Sequence, residues 1–322
     1  MTLDILNCFN KLKKNINSHK EFIRLKKRIS CIRKKNNYQP VSKPIVNSYS
    51  TNNGEFTSCL WQHDKHQDFV WESGTNFIVA DGHENDLIVD WLKNIVGIVL
   101  ENILKADNPI KALEENLKTQ QINSLKSGAC VTIVQTSEKK VDIFYVGDCK
   151  AQIYVNDSKV NETKIHTMEN EDEIERLKLT SSVYESEMMM AVLPSINGKS
   201  QFTKKMGQRV QHKNNCTYLQ VTRCIGHAEK NCESITGTNI GHISSEFSED
   251  DKILVIVGSD GIWDVLQEDE DLSSYTNACD LTVKVCNNWY NDFNFISPLS
   301  KNITNQKGLL SDDIAVYVWF RK

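Results

Sequence analysis

No apolar run in this sequence approaches the ~18 residues that a membrane-spanning helix needs; runs such as IVGIVL (95–100) and ILVIVG (253–258) stop far short. The first residues carry no signal-peptide core, so the expectation is an intracellular protein, cytoplasmic by default. Paired cysteines are lacking too. Ten are scattered at 8, 31, 59, 130, 149, 216, 224, 232, 279 and 286, with no CxxC to frame a zinc or redox motif. Without a secretory signal they are expected to stay reduced. No cysteine has an arginine six positions later, which excludes a Cys-x5-Arg loop and disfavours a thiolate nucleophile. No internal repeat stands out either.

What the chain has is 322 residues, 39% of them apolar, enough for one large or two ordinary domains with a sizeable core. The net charge of −4 conceals a polarity. Residues 1–50 hold twelve Lys/Arg against Asp4 and Glu21, a surplus of +10, which leaves −14 for the remainder. In this basic arm Leu3, Leu6, Phe9, Leu12 and Ile16, then Phe22, Leu25, Ile29 and Ile32, recur at helical spacing among lysines. Two amphipathic helices are predicted. Such helices suit an anionic membrane or nucleic acid, although a solvated extension packed on the body is the plainer reading. The Asn/Ser/Pro-rich stretch 36–54 reads as a linker, so the expected division is an arm with linker over 1–54 and a folded body over 55–322.

In the body, Asn85 or Asp86 is positioned to cap a helix with Ile88, Trp91, Leu92, Ile95, Val99 and Ile103 on one face, and Pro109 suits the first turn of a second. Three β-rich runs, ACVTIVQ (129–135), VDIFYV (141–146) and CKAQIYV (149–155), follow with short polar joints, which predicts an antiparallel meander. Residues 180–215 show little periodicity and read as an irregular insertion. A strand at 253–258, a helix near Ala278–Trp289 and an alternating strand, IAVYVWF (314–320), complete the pattern.

Carboxylates recur at the mouths of the apolar strands. FIVA runs into Asp81-Gly82-His83, ILVIVG leads to Asp260-Gly261, Asp312-Asp313 precede the last strand, and Asp68 stands just before Phe69 and Val70. One Asp-Gly is ordinarily a turn. Several such acids converging would repel one another unless cations lay between them, and an oxygen-only ligand set suits hard ions, Mg²⁺ or Mn²⁺. The histidines His166, His212 and His242 have no partner at ligand spacing, and Cys216, Cys224 and Cys232 form no known zinc frame.

In this order the motifs resemble those of the metal-dependent serine/threonine protein phosphatases of the PPM, or type 2C, family. HDKHQDF stands for the family's Arg-x3-(E/Q)-Asp, FIVADGH for F-x-V-x-DGHGG, and SGACVTIV with FYVGDCKA for the GSTA and VGDSRA strands. LQVTRCIGHA stands for LAVSRALGD, and KILVIVGSDGIWDVL with SDDIAV for SDGLWDV and DNIT. IHTMENEDEIERLKL falls where the family has its DH-x-P-x3-E-x-x-RI segment.

The resemblance implies an α+β fold of two packed antiparallel β-sheets flanked by helices, a four-layer αββα sandwich in which 180–215 is a flap beside the site. It also implies hydrolysis of phosphoserine and phosphothreonine in phosphorylated protein substrates by a water bridging two metals, Mn²⁺ or Mg²⁺, with no covalent intermediate. Carried over, Asp81 bridges the two ions, the Gly82 carbonyl serves one, and Asp260 and Asp312 serve the other. Asp68 lies close to them, Asp148 meets a third, weaker ion, and His83 protonates the departing oxygen.

The departures fall around this set. His63 stands in the place of the phosphate-binding arginine, with Lys65 nearby, and neither has the guanidinium fork that grips phosphate at two points. Glu84-Asn85 replace Gly-Gly, His227 replaces the Asp of LAVSRALGD, and Asp313 replaces Asn. The alternative implied by these changes is a phosphatase-fold module that binds phosphoproteins or anionic partners without turnover. The retained acids favour the enzyme, since nothing maintains a cluster of repelling carboxylates without a cation. A monomer is the default expectation.

Overall fold

The computed structural model describes residues 44–51, 53–62, 66–120, 127–167, 169–179, 183–186, 189–193, 202–206, 209–212, 218–227, 240–266, 270–289, 293–296, 303–306 and 312–322. In chain order, β1 (Ile45–Thr51), β2 (Gly54–Trp61), β3 (Asp68–Ser73) and β4 (Asn76–His83) lead to helices α1 (Leu87–Asn94), α2 (Ile98–Leu104) and α3 (Pro109–Thr119). Strands β5 (Gly128–Thr136), β6 (Lys140–Val146), β7 (Lys150–Val155) and β8 (Ser158–Glu162) follow, then α4 (Glu171–Leu179). Six short strands come next: β9 (Val183–Ser186), β10 (Met189–Leu193), β11 (Phe202–Met206), β12 (Arg209–His212), β13 (Tyr218–Leu219) and β14 (Ile225–Gly226). The chain closes with β15 (Gly241–Glu246), β16 (Ile253–Gly258), α5 (Asp260–Trp263), α6 (Ala278–Trp289), β17 (Phe293–Ile296), β18 (Ile303–Gln306) and β19 (Ile314–Arg321).

Two antiparallel sheets carry the body. One has the order β1-β2-β19-β16-β7-β8, and the other β15-β6-β5-β4-β3 with β14 paired to β5. Alternation sorts their side chains into three layers. Ile253, Val255 and Val257 of β16, Ala315, Tyr317 and Trp319 of β19, and Phe77 and Val79 of β4 fill the space between the sheets. The opposite faces of β16 and β19, through Leu254, Ile256, Val316 and Val318, pack on Leu281 and Val285 of α6. Ile78 and Ala80 of β4 pack on Ile88 and Leu92 of α1 and Leu113 of α3. Strands buried on both faces explain why ILVIVG and IAVYVWF are continuously apolar. Helices outside both sheets give the four layers that the family resemblance implies.

The structure departs from the sequence reading at four places. The end of the segment read as a linker is the edge strand β1, paired over its whole length with β2, and Tyr49 stacks on Phe56 with ring centroids 4.8 Å apart. The helix expected through 88–103 breaks into α1 and α2 at Gly97, whose φ of 103° no helix accommodates. The phase resets there, so Val99 is exposed. The expected meander also divides. β5 and β6 form a hairpin, but Gly147-Asp148 carries the chain across to the other sheet, where β7 pairs with β16 and β8. Gly147 has φ 94°, and a Cβ there would lie 2.3 Å from Cys130 Sγ, so the crossing is as tight as a hairpin turn. Finally, the described residues within 180–215 are strands rather than irregular: β9 pairs with β12, and β10 with β11 and β17. The basic residues 1–43 lie outside the described residues.

Phe77 lies against Tyr317 at a centroid separation of 3.9 Å, both fully buried. Phe77→Ala is therefore expected to lower the unfolding free energy by about 3–5 kcal/mol. Urea denaturation with an unchanged m-value checks this, and a loss below about 1 kcal/mol would contradict the intersheet packing.

Candidate metal centre

Strand parity aims the acids. Asp81 follows Phe77 and Val79 on the intersheet face of β4, and its register partner on β3 is Asp68. Asp260 opens α5 directly after β16, whose last residues pair with the start of β19, the strand that Asp312 and Asp313 precede. Four chain segments thus deliver Asp68, Asp81, Asp260 and Asp312 to one mouth of the sandwich, and Asp313 joins them.

Neutral donors fix this arrangement. Ser259 Oγ donates to Asp68 Oδ2 at 2.7 Å and accepts from Ala315 N at 3.1 Å, which ties β3 to the β16 and β19 ends. Gln67 N donates to Asp313 Oδ2 at 2.7 Å, while Gln67 O accepts from Gly82 N at 2.8 Å. A Cβ on Gly82 would meet Gln67 O at 2.9 Å and the Val89 side chain at 2.6 Å, so only glycine allows this approach.

The charges themselves are in conflict. Asp81 is held well above the usual carboxylate range by burial first, then by Asp260, Asp68 and Asp312, and a hydrogen bond with Asp260 favours its protonated form. Asp68 is raised by burial and by Asp313, with Ser259 partly offsetting them. Asp260 Oδ1 is buried with no hydrogen-bond partner. Orphaned and mutually repelling carboxylate oxygens make a donor set that hard divalent cations satisfy, so these residues fit Mn²⁺ or Mg²⁺.

Asp148 sits at the sheet crossing. After burial itself, its charge and that of Asp81 contribute to raising the thiols of Cys130 and Cys149. Cys130 is the register partner of Asp81, so Asp148 and Asp81 act on the same thiol. His63 and Lys65 lie outside the described residues.

His83, two residues beyond Asp81 on the same face, is not alone. Its Nδ1 shares a 2.8 Å hydrogen bond with His227 Nε2, and the rings stack with centroids 4.8 Å apart. Both occupy the space over Gly128, where a Cβ would lie 2.4 Å from each ring. Burial, then repulsion from His227, lowers the His83 pKa to about 3, and its Nε2 is buried without a partner. Sequence reasoning gave no role to Ser259 and counted His227 only as a departure. Ser259 was findable beside Asp260, whereas the His83–His227 contact spans 144 positions and left no local signal.

Arg223, retained from the LAVSRALGD block, is structural here. Its guanidinium pairs with the buried Glu173 of α4, which also binds Arg176 Nη2 at 2.8 Å and Thr222 Oγ1 at 2.5 Å. Burial alone would push Glu173 up, but hydrogen bonds from Arg223, Arg176 and Thr222 outweigh it and bring the carboxyl to about 2.

The protein phosphatase 2C family model matches residues 98–273, more than half of the chain. No curated protein matches the sequence. Among solved structures, a serine-threonine phosphatase 2C from Toxoplasma gondii is similar at 14% identity and a TM-score of 0.57, covering 87% of this chain and 100% of that one. A sex-determining protein of C. elegans is similar at 14% identity and a TM-score of 0.52, covering 88% and 65%. These likenesses show the two-sheet fold. The sequence match establishes that the chain belongs to the protein phosphatase 2C family, whose members are metal-dependent serine/threonine protein phosphatases.

Proposed function

We propose that the protein hydrolyses phosphoserine and phosphothreonine in proteins with Mn²⁺ or Mg²⁺ held by Asp81, the Gly82 carbonyl, Asp260 and Asp312, Asp68 lying beside them. The observation that carries this reading is the convergence of Asp68, Asp81 and Asp260 around a buried, partnerless oxygen. Two divalent ions there would supply an acidified water and positive charge against the phosphoryl oxygens, and a third, weaker one would fall to Asp148.

The rest is the work of the chain. Ser259 and the Gln67 backbone hold the carboxylates in place before a cation arrives, which lowers the reorganisation that loading demands. Burial raises the Cys130 and Cys149 thiols, so neither offers a thiolate at neutral pH, in keeping with transfer to water rather than to a side chain. His83 is the proton donor to the departing seryl or threonyl oxygen. At about 3 its pKa makes it neutral at pH 7, so the negative charge of the bound phosphoester has to favour its protonation. His63 and Lys65 take the phosphate-binding place of the missing arginine, and the arm of residues 1–50 is the contact for an anionic surface.

One observation favours a second reading, a phosphoprotein-binding module without turnover. His227 occupies the ring nitrogen of His83, and Glu84 adds a carboxylate beside the pair, 3.9 Å from His227 Nδ1. Metal and phosphopeptide binding with no release of phosphate would select it.

Hydrolysis of a phosphothreonine peptide is expected to need added Mn²⁺ or Mg²⁺, to stop with chelator, and to fall about 10²–10⁴-fold in Asp260→Ala, the several kcal/mol that a metal contributes. Metal-independent turnover that survives Asp81→Asn would sink the proposal.

A second expectation concerns stability without metal. The folded-state pKa values of Asp68 and Asp81 are raised, so their contribution is complete below the unfolded value near 3.8 and is lost as pH rises through the raised values. In chelator, thermal midpoints should fall as pH climbs from about 4 towards 8, and Asp81→Asn should recover on the order of 1–2 kcal/mol at neutral pH. Mn²⁺ should stabilise the wild type and not this variant. Scanning calorimetry at several pH values decides it, and a flat pH profile would contradict the buried-charge account.

A further inference from the structure

Beside the carboxylates lies a group of a different chemical kind. His83, Cys224 and His227 each offer a ligand atom within 4.8 Å of the other two. Cys224 and His227 are buried, and they approach His83 through β14, which pairs Gly226 with Gly128. The place is shaped for the two rings. Gly128 lacks the side chain that would collide with both, and Gly226, at φ 87°, would bring a Cβ to 2.3 Å from Ser127 O. His227 N donates to Ser127 O at 2.8 Å, and the hydroxyl of the same serine donates to Asn85 O at 3.1 Å. One residue therefore anchors the chain on both sides of the histidine pair.

Glu84 and His227 also hold left-handed backbones, φ 71° and 47°, a conformation that Asn, Asp and His adopt more readily than other side chains and that is unfavourable to Glu84. Glu84 stands where the family motif has a glycine, and it retains glycine's backbone while placing a carboxylate near His227 Nδ1. At 3.9 Å from His227 Nδ1 the Glu84 carboxylate acts through its charge, which favours a hydrogen on that nitrogen and a lone pair on the other. That other nitrogen, Nε2, faces His83. The other ring nitrogen of His83, Nε2, is buried without a hydrogen-bond partner.

We propose that His83, Cys224 and His227 form a nitrogen-and-sulfur metal site, selective for Zn²⁺ over Mg²⁺ or Mn²⁺ and distinct from the carboxylate centre. Two imidazoles and a thiolate are ligands for a borderline or soft cation, whereas the neighbouring oxygen set suits a hard one. Three protein ligands leave a fourth position open to water. Tetrahedral zinc–nitrogen bonds of about 2.0–2.1 Å place two nitrogens roughly 3.3 Å apart, so the 2.8 Å ring contact opens by about half an ångström as the cation enters, the hydrogen shared by the neutral rings moving to an outer ring nitrogen and the Cys224 thiol proton passing to water. An imidazole bound to Zn²⁺ cannot become the imidazolium that proton donation needs. On the phosphatase reading, Zn²⁺ at this site therefore inhibits turnover through His83.

The test is a titration of metal-stripped full-length protein with Co²⁺ as a spectroscopic substitute for Zn²⁺. One equivalent should give intense tetrahedral cobalt bands with thiolate-to-cobalt charge transfer, displaced by Zn²⁺ and not by Mg²⁺. Cys224→Ser should abolish the charge-transfer band. His227→Asn, which tolerates the left-handed backbone, should weaken cobalt binding at least tenfold, while Asp260→Ala should leave the band in place. Cys224 is buried, so circular dichroism accompanies each variant; if the serine variant unfolds, His227→Asn decides. Cobalt binding without a thiolate band, or a band that persists at full affinity in His227→Asn, overturns the proposal. Loss of the whole cobalt signal in Asp260→Ala overturns it as well, by assigning the ion to the carboxylates. Absence of phosphatase turnover in Mn²⁺ alone would count against the enzyme reading and leave this titration unaffected.

Discussion

Repulsion among carboxylates is the constraint around which the mouth of the sandwich is organised. Asp81, Asp68, Asp260 and Asp312 act on one another through a partly dehydrated space, where each added negative charge makes the next more costly. A fold tolerates this only if something else fixes the backbone. Here uncharged donors do so: the Ser259 hydroxyl between Asp68 and Ala315 N, and the Gln67 peptide between Asp313 and Gly82. These bonds join the ends of β3, β4, β16 and β19, so the geometry does not depend on the charges it presents. The sheets supply the stability through the intersheet layer, and the mouth consumes part of it.

A second network holds the other side of the mouth. Glu173 binds Arg223, Arg176 and Thr222, and Thr222 N donates to His166 O at 2.8 Å. His166 in turn exchanges hydrogen bonds with Gly147, Nδ1 accepting from Gly147 N at 3.1 Å and His166 N donating to Gly147 O at 2.8 Å. Burial, with Arg223 nearby, lowers the His166 pKa to about 4, so it serves as a neutral acceptor. α4, the sheet crossing and residues 222–227 are thereby one connected body. Its far end is the turn that delivers His227 to His83. The arginine that the family motif retains is thus a brace for the histidine pair, three residues before Gly226 and four before His227.

How much was legible in the sequence follows from the range over which each feature is encoded. β16 and β19 announced themselves because both faces are buried and an unbroken apolar run is written in seven or fewer consecutive residues. Asp81 and Asp260 were legible because an acid beside glycine at the end of such a strand is a local contradiction with few physical resolutions. The crossing at Gly147-Asp148 was not, because a tight turn between sheets uses the same residue types as a hairpin. Gly97 broke a helix whose apolar spacing survives across the break. The strands inside 180–215 lacked alternation, and the pairing that makes them strands comes from residues as distant as Phe293–Ile296. Asp313 was visible only as a substitution, and its bond to the Gln67 amide spans 246 positions.

The two clusters meet at His83, and its tautomer separates their chemistries. If His227 donates the shared hydrogen bond, His83 Nδ1 accepts it and Nε2 carries the proton, poised towards an oxygen that leaves the phosphoester. If His83 donates instead, Nε2 is a bare lone pair. Glu84 biases the choice through its charge, 3.9 Å from His227 Nδ1, which favours the hydrogen on that nitrogen and Nε2 of that ring as an acceptor. Where the family motif has glycine and aspartate, this chain has Glu84 and His227, and both substitutions bear on the proton of a third residue. On the proposed phosphatase reading, the acids call for a hard cation, and the histidines set which ring nitrogen is left to act beside it.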